Sequence, residues 1–175
     1  MKYFIAGLLT VYLNISFANT YIEHYVFYHL SHKNLNDIKN YLWKSAESKI
    51  SDDDASYILG ILYLGEYGFP RNLKLAKYFL EKSASMKNPR AIHSVGDGYY
   101  SGDTHPKNLK KALEYYENAG KLGYGPSQFN AGIIYMKYIK NNIKAMYWFK
   151  KAFNNKNLDN SIRQKIKDYI DEINR

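Results

Sequence analysis

The chain has 175 residues, 46% hydrophobic and 17% aromatic, with 25 Lys and Arg against 16 Asp and Glu for a formal net charge of +9. That composition excludes wholesale disorder, and the length suits one compact unit in preference to two ordinary domains. The absence of cysteine excludes disulfides, thiolate catalysis, zinc–thiolate sites and a lipid-anchored cysteine behind a leader.

In chain order, residues 1–18 read as a secretory signal. Met1-Lys2 is a short positive start, Tyr3 to Leu13 is mostly apolar, and Ser16-Phe17-Ala18 places small residues at −3 and −1 for cleavage after Ala18. The apolar run is too short for a comfortable transmembrane helix, and no later segment approaches a span. Cleavage removes Lys2, lowers the charge to +8 and places the mature chain in the periplasm or outside the cell. The remaining lysines are spread over many turns without one dense run, so nucleic acid is not an expected partner. An acidic protein or an anionic envelope surface suits the charge better.

Residues 19–51 carry a worn form of a pattern that becomes plain further on. Aligned without gaps against residues 132–153, Tyr25-Val-Phe-Tyr28 falls on Gly132-Ile-Ile-Tyr135, and Ile38, Leu42 and Ser45 fall on Ala145, Phe149 and Ala152. A degenerate helical hairpin is expected here, since a terminal repeat has no neighbour on one side. His24, His29 and His32 also cluster here. Without further ligands and their supporting shell they read as solvated histidines, and no metal site is expected.

From residue 52 to 156 the pattern is regular. Gly60, Gly96 and Gly132 are 36 residues apart, each followed three positions later by a tyrosine (Tyr63, Tyr99, Tyr135) and preceded by five by Ala55, Ala91 or Ser127. A fixed period of this length marks a repeat architecture. Each unit predicts two helices. The first starts after Asp52-Asp53-Asp54 in unit one, at Asn88-Pro89 in unit two and at Gly125-Pro126 in unit three, where carboxylates, caps and an early proline suit an N-terminus. The second opens at Asn72 and Asn108. Its inner face reads small–large–small: Ala76, Leu80, Ser83; Ala112, Tyr116, Ala119; Ala145, Phe149, Ala152. A glycine in a helix interior costs roughly 1 kcal/mol, so its recurrence predicts close contact with the paired helix. From glycine to alanine the first two units take 16 residues and the third only 13. Residues 157–175, with Ile162, Ile166, Tyr169, Ile170 and Ile173 at helical spacing, predict an amphipathic helix that caps the stack.

The pattern Ala-x4-Gly-x2-Tyr, a glycine-containing loop, Asn-Leu-Lys-x-Ala and a small-residue end resembles the Sel1-like repeat, a relative of the tetratricopeptide repeat. The resemblance covers about residues 21–155. It implies an all-α fold, a right-handed α-solenoid of about four helix-turn-helix units plus a capping helix, and a protein-binding role without catalysis. In such stacks the first helices line the concave face. Carrying the phase over from the glycines puts Tyr57, Ile61 and Leu64 there in unit one, His93, Asp97 and Tyr100 in unit two, and Phe129, Ile133 and Met136 in unit three. Tyr57, His93, Asp97 and Tyr100 are read as binding residues, and Ile61 and Ile133 as core between neighbouring first helices.

Little in the sequence supports chemistry. There is no Gly-rich phosphate loop, no His-Glu-x-x-His and no serine in a nucleophile elbow, so no cofactor is expected. His93 and Asp97 at i, i+4 form an acid–base pair without a nucleophile, better read as an interface contact. Asp52-Asp53-Asp54 lacks the spacing of a calcium loop. The function expected is a non-enzymatic adaptor or scaffold of the bacterial envelope that holds a protein segment on the concave face. A periplasmic immunity protein neutralising a secreted toxin is the narrower alternative. An enzyme, hydrolase or β-lactam-binding, is the alternative of another class, and the chain lacks the paired cysteines of the relatives linked to β-lactams.

Overall fold

A computed structural model describes residues 35–47, 53–66 and 69–174. The signal segment, Tyr25 to Tyr28, the three N-terminal histidines and Asp52 lie outside the described residues. Within them the chain forms eight α-helices and no strand: α1 Leu35–Ala46, α2 Asp53–Tyr63, α3 Leu73–Ser85, α4 Pro89–Ser101, α5 Leu109–Lys121, α6 Gly125–Ile134, α7 Asn142–Phe153 and α8 Asn160–Ile173. A π turn, Tyr135–Ile139, prolongs α6. Helices α2/α3, α4/α5 and α6/α7 pair as successive hairpins, α1 packs ahead of them and α8 behind, which makes an α-solenoid. None of these helices is long and apolar enough to cross a membrane.

The capping chemistry recurs with the period. Asn72, Asn108 and Asn141 cap α3, α5 and α7, each side chain accepting from the backbone N–H three residues on, at 3.0–3.1 Å. The same three asparagines donate their own N–H groups to the carbonyls of Tyr63, Tyr99 and Tyr135 at 2.8–2.9 Å. One residue thus ends the loop, starts the second helix and anchors it to the first, satisfying donors and a carbonyl that helix ends leave open. Asn88 caps α4 with Pro89 in the first turn, as expected. In unit three the cap position belongs to Tyr124, which makes no side-chain cap bond; Gly125 is already helical and Pro126 follows it.

Each repeat glycine is a contact point. A methyl group on Gly60 would stand 2.6 Å from Leu80 Cγ, on Gly96 2.9 Å from Tyr116 Cε1, and on Gly132 2.5 Å from Phe149 Cε1. The expected close approach is therefore made by the large residue of the small–large–small face, which drops into the gap left by the glycine. The small residues on either side of it, Ala76 and Ser83, Ala112 and Ala119, Ala145 and Ala152, are all fully buried. Tyrosines pack ring-inward with a paired hydroxyl: Tyr63 accepts from Trp43 Nε1 at 3.1 Å, Tyr116 donates to Asp97 at 2.6 Å and Tyr135 donates to Glu117 at 2.8 Å. Burial and the Glu117 contact push the Tyr135 hydroxyl up to about 12.

Two cores result. One joins Ile38 and Leu42 of α1 to Leu59, Leu62 and Phe79. The other joins Tyr116, Ile134, Trp148 and Phe149 to Ile166 of α8, with Ile162, Tyr169, Ile170 and Ile173 packed against it. The predicted cap thus buries its apolar stripe on the last hairpin, and Tyr169 stacks on Phe149 at 5.5 Å.

Candidate functional site

The first helices α2, α4 and α6, with the π turn that prolongs α6, meet at their edges through side chains 34 to 38 residues apart. Arg90 pairs with Asp54 and lies over the Tyr57 ring at 4.9 Å. His93 Nδ1 meets Ser127 Oγ at 2.8 Å, and the Tyr100 and Tyr138 hydroxyls meet at 3.0 Å. Between these contacts the face opens into two clefts. One, of about 250 Å³, is lined by Asp97, Tyr100, Tyr116, Asn130, Ile133 and Ile134. The other, of about 500 Å³, is lined by Phe129, Asn130, Ile133, Lys165, Asp168 and Tyr169. Asn130 and Ile133 line both, so the two clefts adjoin on α6 and make a groove bordered by α4 on one side and α8 on the other.

Asp97 is the charged centre of the smaller cleft. Its carboxylate accepts from the Tyr116 hydroxyl at 2.6 Å and meets His93 Nε2 at 3.2 Å, yet half of the side chain stays exposed. Nε2 faces the carboxylate within ion-pair distance, while Nδ1 shares a hydrogen bond with the Ser127 hydroxyl. Burial lowers the His93 pKa below its ordinary 6.5, and the nearby Asp97 charge opposes that only in part. Both ring nitrogens are engaged and the side chain is 15% exposed. The pair orients Asp97 toward the cleft and joins α4 to α6. As a wall of such a cleft, an oriented carboxylate between phenol rings and an amide receives an N–H donor or a cationic side chain.

The expected face residues therefore have different places. Asp97, Tyr100, Phe129 and Ile133 line the groove, and Ile133 packs against the core as well. His93 stands behind Asp97 as its positioning partner. Tyr57 and Ile61 are half-buried on α2, away from both clefts, and Leu64 packs against the N-terminal core. Met136 does not line open surface: it is buried in the C-terminal core, because the π turn carries residues 135–139 off the helical phase of the other units. Sequence reasoning missed Asn130, Tyr138, Lys165, Asp168 and Tyr169. Asn130 and Ile133 lie three apart on one helix face, which is a usable signal. The α8 residues show in sequence only the spacing of a cap, with charges that look solvated. Among the described residues, no three His, Asp or Glu gather as a metal site.

Comparison with known proteins is consistent with this geometry. The Sel1 repeat model matches residues 53–88, 89–124 and 126–157, together more than half of the chain. Human protein sel-1 homolog 2 is 31% identical over 97 residues, which are 55% of this chain and only 14% of the human protein. The crystal structure of a Sel1 repeat protein from Oxalobacter formigenes aligns with a TM-score of 0.60 and 29% identity, over 65% of this chain and 87% of that one. A protective antigen of uropathogenic Escherichia coli with an SLR fold aligns with a TM-score of 0.58 and 24% identity, over 65% of this chain and 24% of its own, and shows likeness of fold alone. With three matched repeats in register with the observed hairpins, this chain belongs to the Sel1 repeat family.

Proposed function

We propose that this chain is exported to the bacterial envelope and serves there, without catalysis, as a scaffold that holds a segment of a protein partner in the groove between α4, α6 and α8. Sel1 repeats generally act as protein-interaction modules, which supports the class of activity. The carrying observation is the groove itself: half-exposed Tyr100 and Asp97 at one end, Ile133 in the floor, Lys165 and Asp168 at the other. Aromatic and aliphatic anchors with a few oriented polar groups suit a peptide or loop. Asp97 adds a preference for a basic residue at one end of that segment. The Met1–Ala18 pattern and its small residues before Asn19 support export.

A photo-crosslinking residue placed at Asn130 of the protein produced in its own cells tests the groove. The expected result is one dominant crosslinked partner, reduced at least about fivefold by Asp97→Asn with Tyr100→Ala. Crosslinks unchanged by that double substitution would remove the groove from the reading. Export is tested by sequencing the N-terminus of the cellular protein, where Asn19 is expected and an intact Met1 would refute it.

A further inference from the structure

Between Glu117 and Asp159 the sequence has no acidic residue, while seven lysines from Lys121 to Lys156 fall there without an arginine. That interval, most of it the third hairpin, holds +7 of the chain's +9. All seven lysines are exposed. Among them stand Ile143, 85% exposed, Tyr147 at 52% and Ile139 at 48%. Ile143 and Tyr147 are one turn apart on α7 and share a side of it; Ile139 ends the π turn four residues ahead. None of the three lines the groove described above.

The fold does not require these side chains. Two residues after the capping asparagine, units one and two carry Lys74 and Lys110, both exposed, and unit three carries Ile143. An isoleucine almost fully in water, at a position the other repeats fill with lysine, gives up solubility without gaining packing. The gain lies in a medium outside the protein. Lys151 Nζ lies over the Tyr147 ring at 5.1 Å and over the Trp148 ring at 5.6 Å, which sets an ammonium group beside the exposed aromatic side chain.

We propose that the third hairpin seats this protein on an anionic phospholipid surface. Ile139, Ile143 and Tyr147 enter the headgroup boundary while Lys140, Lys150 and Lys151 meet lipid phosphates. Lysines beside exposed aliphatic and tyrosine side chains are the composition of an interfacial contact. A nucleic-acid surface is the poorer fit, since the segment has no forked guanidinium and isoleucine neither stacks on bases nor pairs with them. The proposal stands whether or not the groove holds a partner.

Co-sedimentation of the full chain with phosphatidylcholine vesicles, with and without about 30% phosphatidylglycerol, tests it. Binding at least about tenfold tighter to the anionic vesicles is expected, weakening as salt rises. Lys140→Glu with Lys150→Glu should lower that binding about tenfold or more, and Ile143→Ser about fivefold. All three side chains are exposed, so the variants should unfold at the wild-type temperature. Residues 1–18 are common to wild type and variants, so their own affinity for lipid cancels in that comparison, which is the deciding one. Equal binding to both vesicle types, or variants that bind like the wild type, would overturn the proposal. So would tighter binding to poly-glutamate than to anionic vesicles of equal charge, which would assign the patch to an acidic protein.

Discussion

Gly132 shows how narrow the tolerance of this fold is at single positions. Alanine there would gain about 1 kcal/mol of helix propensity, but its methyl would meet the Phe149 ring at 2.5 and 2.6 Å. A buried aromatic ring cannot yield as a flexible chain end does, and overpacking of this kind costs about 1–3 kcal/mol. Gly132→Ala is therefore expected to lower stability by up to about 2 kcal/mol in urea unfolding, and adding Phe149→Leu should return part of the loss. His93 gives the second expectation at this scale. Its folded pKa lies below the ordinary 6.5 because burial disfavours the charged ring. The unfolded chain therefore takes up the proton first as pH falls. Stability is full above about pH 6.5, declines as pH drops below it, and levels once the folded state is protonated too. Urea midpoints measured down to about pH 5 should show this slope in the wild type and a shallower one in His93→Gln.

Among the elements, the helix termini carry the differences between repeats. Lys87 closes α3 with φ of 66°, whereas Gly123, one period later, takes φ of 89° after α5. The left-handed conformation costs a side chain about 1 kcal/mol or more, which glycine avoids at some entropic expense in the unfolded chain. Lys87→Gly is expected to raise stability by about 0.5–1 kcal/mol and Gly123→Ala to lower it by about 1 kcal/mol, both read as thermal midpoints. A methyl group on Gly123 would meet no heavy atom within 4 Å, so strain alone is measured there. The elements were largely legible in sequence, because the glycine, the small–large–small face and the capping asparagine each do a local job that leaves a periodic trace. The groove was legible only in part. Asp97, Tyr100, Phe129 and Ile133 followed from the phase of the first helices. Met136 and Tyr138 did not, because three missing loop residues signalled a shorter connection, while the chain answered with a longer first helix ending in a π turn and Lys140 at φ of 59°. The wall supplied by α8 comes from outside the repeat, where no period applies.

For the whole molecule, stability spreads along a line of neighbours, each hairpin covering the one before. The terminal helix then has influence beyond its length. Ile166, fully buried in the C-terminal core, is expected to cost about 2–4 kcal/mol as Ile166→Ala. Hydrogen exchange should rise most in α6 and α7 and least in α2 and α3. A uniform rise would mean that the chain behaves as one block. The edge contacts between first helices have a mechanical meaning as well. Within a hairpin, helices meet along their length and interlock at a glycine; between first helices the links include a phenol pair at 3.0 Å and an imidazole–hydroxyl pair at 2.8 Å. Neighbouring hairpins are joined as well by α3 packed on α4 and α5 packed on α6, so a change of pitch has to slide packed helices past one another as well as part these polar pairs.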